Sequence, residues 1–250
     1  MENLSDKIAY ITINPQGKFL KSAQLGFDAV GLRPKYLLYV SPQNRLLAEF
    51  KKHRLGLFHR FLWPKIKQHL GNQKSFSNEP VHIEIPKTFK IADLNGDKTA
   101  ALIQALGIKY LVNCGAGIFR KKIIQVPGLT IINAHAGKLP EYRNMNVVEW
   151  ALYMNEPVIG TIHTIDQGID TGAILHQEEL QIRQAKNYEE AREMAFDQVI
   201  RLAGKTVLRH AQGQVRPTPQ DSALGKNWYR MHSYFHKKIN HTLAQNRLSP

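Results

Sequence analysis

Short apolar blocks recur along the chain, separated by polar turns and by longer stretches with helical spacing. Residues 7–13 (KIAYITI), 36–40 (YLLYV), 81–85 (VHIEI) and 110–113 (YLVN) are rich in β-branched and aromatic side chains, as buried strands are. Between them, helical patterns run from the turn at 14–18 to Leu25, across 43–70 with breaks near Gly56 and at Trp63-Pro64, and across 97–106, where Gly107 supplies a C-terminal stop. A longer helical pattern spans 187–212. Strands alternating with helices predict an α/β fold with a mainly parallel, doubly wound sheet and helices on both faces. Residues 71–80 and 213–221 read as polar or proline-bearing connections, and 222–250 as a solvated basic tail.

Two further apolar runs carry side chains capable of chemistry. Residues 130–135 end in Asn133 and His135, and the run 160–165 leads into a loop where Asp170 lies between Gly168 and Gly172. Asn133 and His135 are two apart, so on a strand they face the same side. In open α/β sheets, sites form where strands end. An amide can donate to an oxyanion, an imidazole can donate or shuttle protons, and a carboxylate can orient the imidazole or take a proton from an attacking amine. Singly, each has a simpler account: a strand histidine is usually structural, and Asp before Thr-Gly usually forms a turn. Together they suit acyl transfer to an amine.

Composition narrows the partners. The 250 residues allow one large domain or one domain with a small appendage, and the formal net charge of +14 favours anionic partners. The basic amphipathic stretch 43–70 suits a surface helix, an anionic membrane or nucleic acid. No run has the length of a membrane span, the N-terminal residues lack a signal-peptide pattern, and Cys114 has no second cysteine to pair with, so a cytoplasmic protein is expected. His232, His236 and His241 come with no carboxylate or cysteine, and no metal site is expected there.

Asn133-Ala134-His135, Leu139-Pro140-Glu141-Tyr142-Arg143, Gly160-Thr161-Ile162-His163 and Ile169-Asp170-Thr171-Gly172 together resemble the tetrahydrofolate-dependent formyltransferases, most specifically over 110–180. The resemblance implies a Rossmann-like formyltransferase domain over 1–213 with a short helical or irregular C-terminal extension over 214–250. It makes Asn133, His135 and Asp170 the catalytic trio, with 10-formyltetrahydrofolate as donor. It also implies that the pterin is held by Gly117, Ile118 and Phe119 and by the loop containing Asp166 and Gly168. Two departures stand beside the site. The family's serine-leucine-leucine-proline stretch reads Ala136-Gly137-Lys138-Leu139-Pro140 here, and its glycine after tyrosine-arginine is Asn144.

The acceptor is narrowed by what the chain lacks relative to each branch of the family. The turn 14–18 departs from the glycine- and serine-rich phosphate loop of glycinamide ribonucleotide formyltransferases. The residues after Leu180 are too few for the C-terminal β-barrel of methionyl-tRNA formyltransferases, and no N-terminal domain like that of the formyl-tetrahydrofolate hydrolases is expected. The remaining likeness is to sugar N-formyltransferases, so the expected partner is a small molecule, a nucleoside-diphosphate amino sugar. A tRNA acceptor, or a non-catalytic nucleic-acid-binding protein on the same scaffold, also fits the charge.

Overall fold

The computed structural model describes residues 3–41 and 87–246. Seven strands form one sheet in the order β3-β2-β1-β4-β5-β7-β8: β1 Ile8–Thr12, β2 Tyr36–Val40, β3 Lys87–Ile91, β4 Tyr110–Asn113, β5 Thr130–His135, β7 Ile159–Thr164 and β8 Ile174–Glu179. The first five are parallel, and β7 and β8 join antiparallel. β1 is buried at every residue. Alternate side chains go to opposite faces: Ile8 and Tyr10 enter one core with Val112 and Ile132, while Ala9 and Ile11 enter the other with Leu111 and Ile131. Helices α1 (Lys18–Asp28), α4 (Val147–Tyr153) and α5 (Tyr188–Ala211) pack into the first core, and α2 (Asp97–Ala105) and α3 (Lys121–Ile124) into the second. The expected α/β architecture, mostly parallel with helices on both faces, is the observed one.

Local chemistry accounts for the boundaries. Asn187 caps α5 by accepting from the Glu190 N–H at 2.8 Å. Gly107, at φ +62, ends α2 in the left-handed conformation that a C-terminal glycine permits. The strand expected at 81–85 and the helical stretch 43–70 lie outside the described residues. Among the described residues the edge strand β3 falls on KTFKI, where only Phe89 and Ile91 turn inward, a pattern too sparse to stand out.

The C-terminal extension is helical in part, as the resemblance implied, but it is not simply a solvated tail. Residues 227–246 contain a short strand, β9 (Asn227–Trp228), paired with β6 (Arg143–Asn144), and helix α6 (Ser233–Asn246). Met231, Ile239 and Leu243 are buried in the first core. Phe235, Ile239 and Leu243 recur at four-residue spacing, so one apolar stripe lies hidden among the basic and histidine residues.

Helices α1 and α5 touch backbone to backbone. A Cβ on Gly26 would land on the Arg201 carbonyl, and one on Gly204 on the Gly26 carbonyl. Neither obstruction is a side chain that can swing away. Gly204→Val is therefore expected to destabilise the fold by about 3 kcal/mol, the upper part of the usual overpacking range. Urea denaturation with an unchanged midpoint would show that the helices can part without cost.

Candidate active site

The carboxyl ends of β1, β4 and β5 share one edge of the sheet, and the polar side chains gather there. The antiparallel register sets His163 on β7 directly across from Asn133, and Thr161 across from His135. The loop after β7 folds back so that Asp170 faces both histidines. Its Oδ2 lies 3.6 Å from His135 Nδ1 and its Oδ1 3.7 Å from His163 Nε2. Asn133, His135 and Asp170 are thus brought together, with His163 between the amide and the carboxylate.

His163 fixes the orientation of the amide. Burial, with the neighbouring His135, pushes its pKa down to about 4 despite the opposing Asp170 carboxylate, so the ring is neutral at physiological pH. Its Nδ1 lies 2.7 Å from the Thr164 carbonyl, which can only accept, so the ring proton sits on Nδ1. The bare Nε2 then accepts from Asn133 Nδ2 at 3.0 Å. That places Asn133 Oδ1 toward Asn113 Nδ2 at 3.0 Å, and Asn113 Oδ1 accepts the Ala116 N–H at 2.9 Å. A buried imidazole thereby determines which end of the Asn133 amide is the donor. One of its two N–H groups remains for a ligand.

His135 is held differently. Its Nε2 donates to the Tyr142 carbonyl at 2.6 Å while Nδ1 faces Asp170, so each ring nitrogen has an oxygen before it. A Cβ on Gly137 would sit 2.8 Å from both His135 Nε2 and the Tyr142 carbonyl oxygen, so glycine lets this turn close over the imidazole. Asp170 adopts φ +54, a left-handed conformation that Asp tolerates better than most residues, and its Oδ2 accepts the Asn144 N–H at 2.9 Å. Asn144, at φ +81, stands where glycine was expected, and asparagine suits that backbone.

The loop residues are placed as follows. Gly117 has φ +114, Ile118 projects into solvent, and Phe119 is buried in the second core. Asn95 ties this loop down, donating to the Ile118 carbonyl at 3.0 Å and accepting the Arg120 N–H at 2.7 Å. Asp166 accepts from the Gly168 N–H at 3.0 Å and from the Thr171 hydroxyl, so its carboxylate closes the turn ahead of Asp170. Lys18, beside the first turn, pairs with Glu193 at 2.6 Å. Among the described residues no cluster of histidine, cysteine and carboxylate suits a metal ion, and no helix is long and apolar enough to cross a membrane. Asn113, His163 and Gln220 were not singled out for the site from the sequence. Asn113 had one available signal, its place at a strand end like that of Asn133.

An amide donor of fixed orientation, an imidazole and a carboxylate gathered at the strand ends are groups that acyl-type transfer would use. The chain belongs to the formyl transferase family, whose sequence profile matches residues 44–200. It is 33% identical over 127 residues to a methionyl-tRNA formyltransferase from Cyanothece sp., covering 50% of this chain and 38% of that one. It is 36% identical over 133 residues to a methionyl-tRNA formyltransferase from Thermodesulfovibrio yellowstonii, covering 52% and 43%. The aligned region thus spans about two-fifths of the length of these curated relatives. The fold is shared with a phosphoribosylglycinamide formyltransferase from Streptococcus pneumoniae at a TM-score of 0.53 and 16% identity, over 82% of this chain and 98% of that one.

Proposed function

We propose that this protein is an N-formyltransferase that moves the formyl group of 10-formyltetrahydrofolate to the primary amine of a nucleoside-diphosphate amino sugar. The observation that carries the reading is the convergence of Asn133, His135 and Asp170 at the strand ends of a formyl transferase family sheet. Asn133 offers its remaining amide N–H to the formyl oxygen as negative charge develops there. Asp170, directly or through water, takes the proton that the amine must lose as its nitrogen bonds the formyl carbon. His135 stands beside that carboxylate, its Nδ1 3.6 Å from Oδ2. The bond from the formyl carbon to the folate nitrogen breaks, and a proton returns to that nitrogen. Gly117, Ile118 and Phe119, through their backbone, and the loop of Asp166 and Gly168 are assigned to the pterin; the positive φ of Gly117 allows close approach of a ligand to that backbone.

Net charge supports an acceptor that carries phosphate. Exposed Lys226 and Arg230 flank Trp228 on β9, next to the strand whose Asn144 N–H holds Asp170. A local pair of cations suits a diphosphate better than a long polyanion. A second reading, methionyl-tRNA as acceptor, is favoured by the names of the relatives at 33% and 36% identity.

Formylation assays with 10-formyltetrahydrofolate against amino-sugar nucleotides, glycinamide ribonucleotide and charged initiator tRNA separate these readings. Amino-sugar formylation with a shallow salt dependence is expected. Formylation of tRNA, with a steep log–log fall of binding with salt, would replace the sugar acceptor. No formylation of any amine in the panel would count against the enzyme reading itself.

A further inference from the structure

We propose that Gln220, beyond the expected catalytic domain, is a positioning residue that holds the Asp170 loop in its working conformation. Its side chain bridges two parts of the site. Oε1 accepts from Arg143 Nε at 3.2 Å and Arg143 Nη2 at 2.8 Å, while Nε2 donates to the Asp170 carbonyl at 2.9 Å and the Gly172 carbonyl at 2.6 Å. Arginine has only donors and the carbonyls only accept, so one orientation of the Gln220 amide satisfies all four contacts.

The loop needs such a clamp. Asp170 sits at φ +54, and Gly172 packs so tightly on the Thr164 carbonyl that a Cβ would strike it. A left-handed non-glycine conformation persists where its surroundings over-determine it. The Asn144 N–H fixes the Asp170 carboxylate, and Gln220 fixes the backbone carbonyl of the same residue. Both supports converge on β6, because Arg143 and Asn144 are its two residues. Arg143 itself is only 7% exposed, and among the described residues no carboxylate pairs with it. Its guanidinium rests on the neutral Gln220 oxygen and against Gly225, where a Cβ would collide with it. A buried cation anchored by a neutral amide is an unusual choice if stability were the only purpose, since a carboxylate at 220 would neutralise it.

That feature supplies the test. Gln220→Glu keeps an acceptor for Arg143 and adds its missing counter-charge, but it removes both donors to the loop and sets a carboxylate against two carbonyl oxygens. A clamp role predicts that stability and activity part company. Urea unfolding of Q220E is expected at or above the wild-type midpoint, while kcat falls about tenfold or more, given that a misplacement near 1 Å can cost roughly a hundredfold. KM for donor and acceptor is expected to stay within about twofold. Q220M, which loses both sides of the bridge, is expected to lose stability as well as kcat. Wild-type turnover in Q220E, or activity in both variants that merely follows stability, overturns the proposal.

The kinetic arm rests on the formyltransferase reading, and wild-type formylation of any acceptor in the panel is its control. Crystallography of Q220E decides the matter without substrate. The His135 Nδ1 to Asp170 Oδ2 separation, 3.6 Å with Gln220 in place, is expected to widen as the loop relaxes. An unmoved loop in that crystal structure overturns the clamp whatever the wild-type enzyme formylates.

Discussion

Asp170→Asn is expected to lower turnover by about a hundredfold or more, the scale of a lost general acid–base group, with the fold intact. The substitution is close to isosteric. Asparagine also tolerates φ +54, and its side-chain oxygen can still accept the Asn144 N–H. What disappears is the negative charge facing His135 and the basicity that the proposed role, taking a proton from the amine, requires. The competing account makes Asp170 a turn former whose carboxylate only satisfies a backbone N–H. On that account the asparagine keeps its hydrogen bond and the enzyme keeps its activity. Kinetics at saturating donor and acceptor, with urea denaturation to confirm the fold, separate the two. Near-normal turnover of a stable Asp170→Asn protein removes Asp170 from the catalytic group.

The extent to which the site is legible in sequence follows from how far each contact reaches along the chain. β2 and β4 lie on the expected residues because continuous apolar runs in central strands depend on little beyond themselves. Asn133 and His135 share a short strand, so the two-residue period placed them together. Asp170 came with its glycine-rich loop, although its approach to His135 depends on the fold of the whole β7–β8 hairpin. His163 was visible in the Gly160–His163 motif, but its pairing with Asn133 is set by antiparallel register, which no local pattern encodes. Gln220 was beyond local reasoning because it lies 50 residues from Asp170 and 77 from Arg143. The burial within the helical tail is illegible for a related reason. Its charges are local and obvious, while the partners of Trp228 (a ring stacked on Tyr142 at 5.0 Å and a carbonyl at Glu141) come from far along the chain.

Asn133→Ala is expected to reduce kcat by about a hundredfold to a thousandfold, as removal of an oxyanion donor does elsewhere. Two of the amide's three hydrogen-bonding groups are already engaged within the protein, by Asn113 and by His163, so the remaining N–H is held in a fixed direction. A pre-aimed donor contributes most when charge appears on the formyl oxygen, and much less to the bound ground state. The loss is therefore expected in kcat, with KM for the folate donor nearly unchanged. Asn113→Ala provides a graded control. It removes the hydrogen bond to Asn133 Oδ1 but leaves the Asn133 donor in place beside the neutral His163, and a smaller loss, about tenfold, is expected from imperfect orientation. A larger effect from Asn113→Ala than from Asn133→Ala would mean that the relay supports the sheet edge rather than aiming a donor. If Asn133→Ala raised KM with kcat unchanged, the amide would be a substrate-binding group and its place in transition-state stabilisation would be lost.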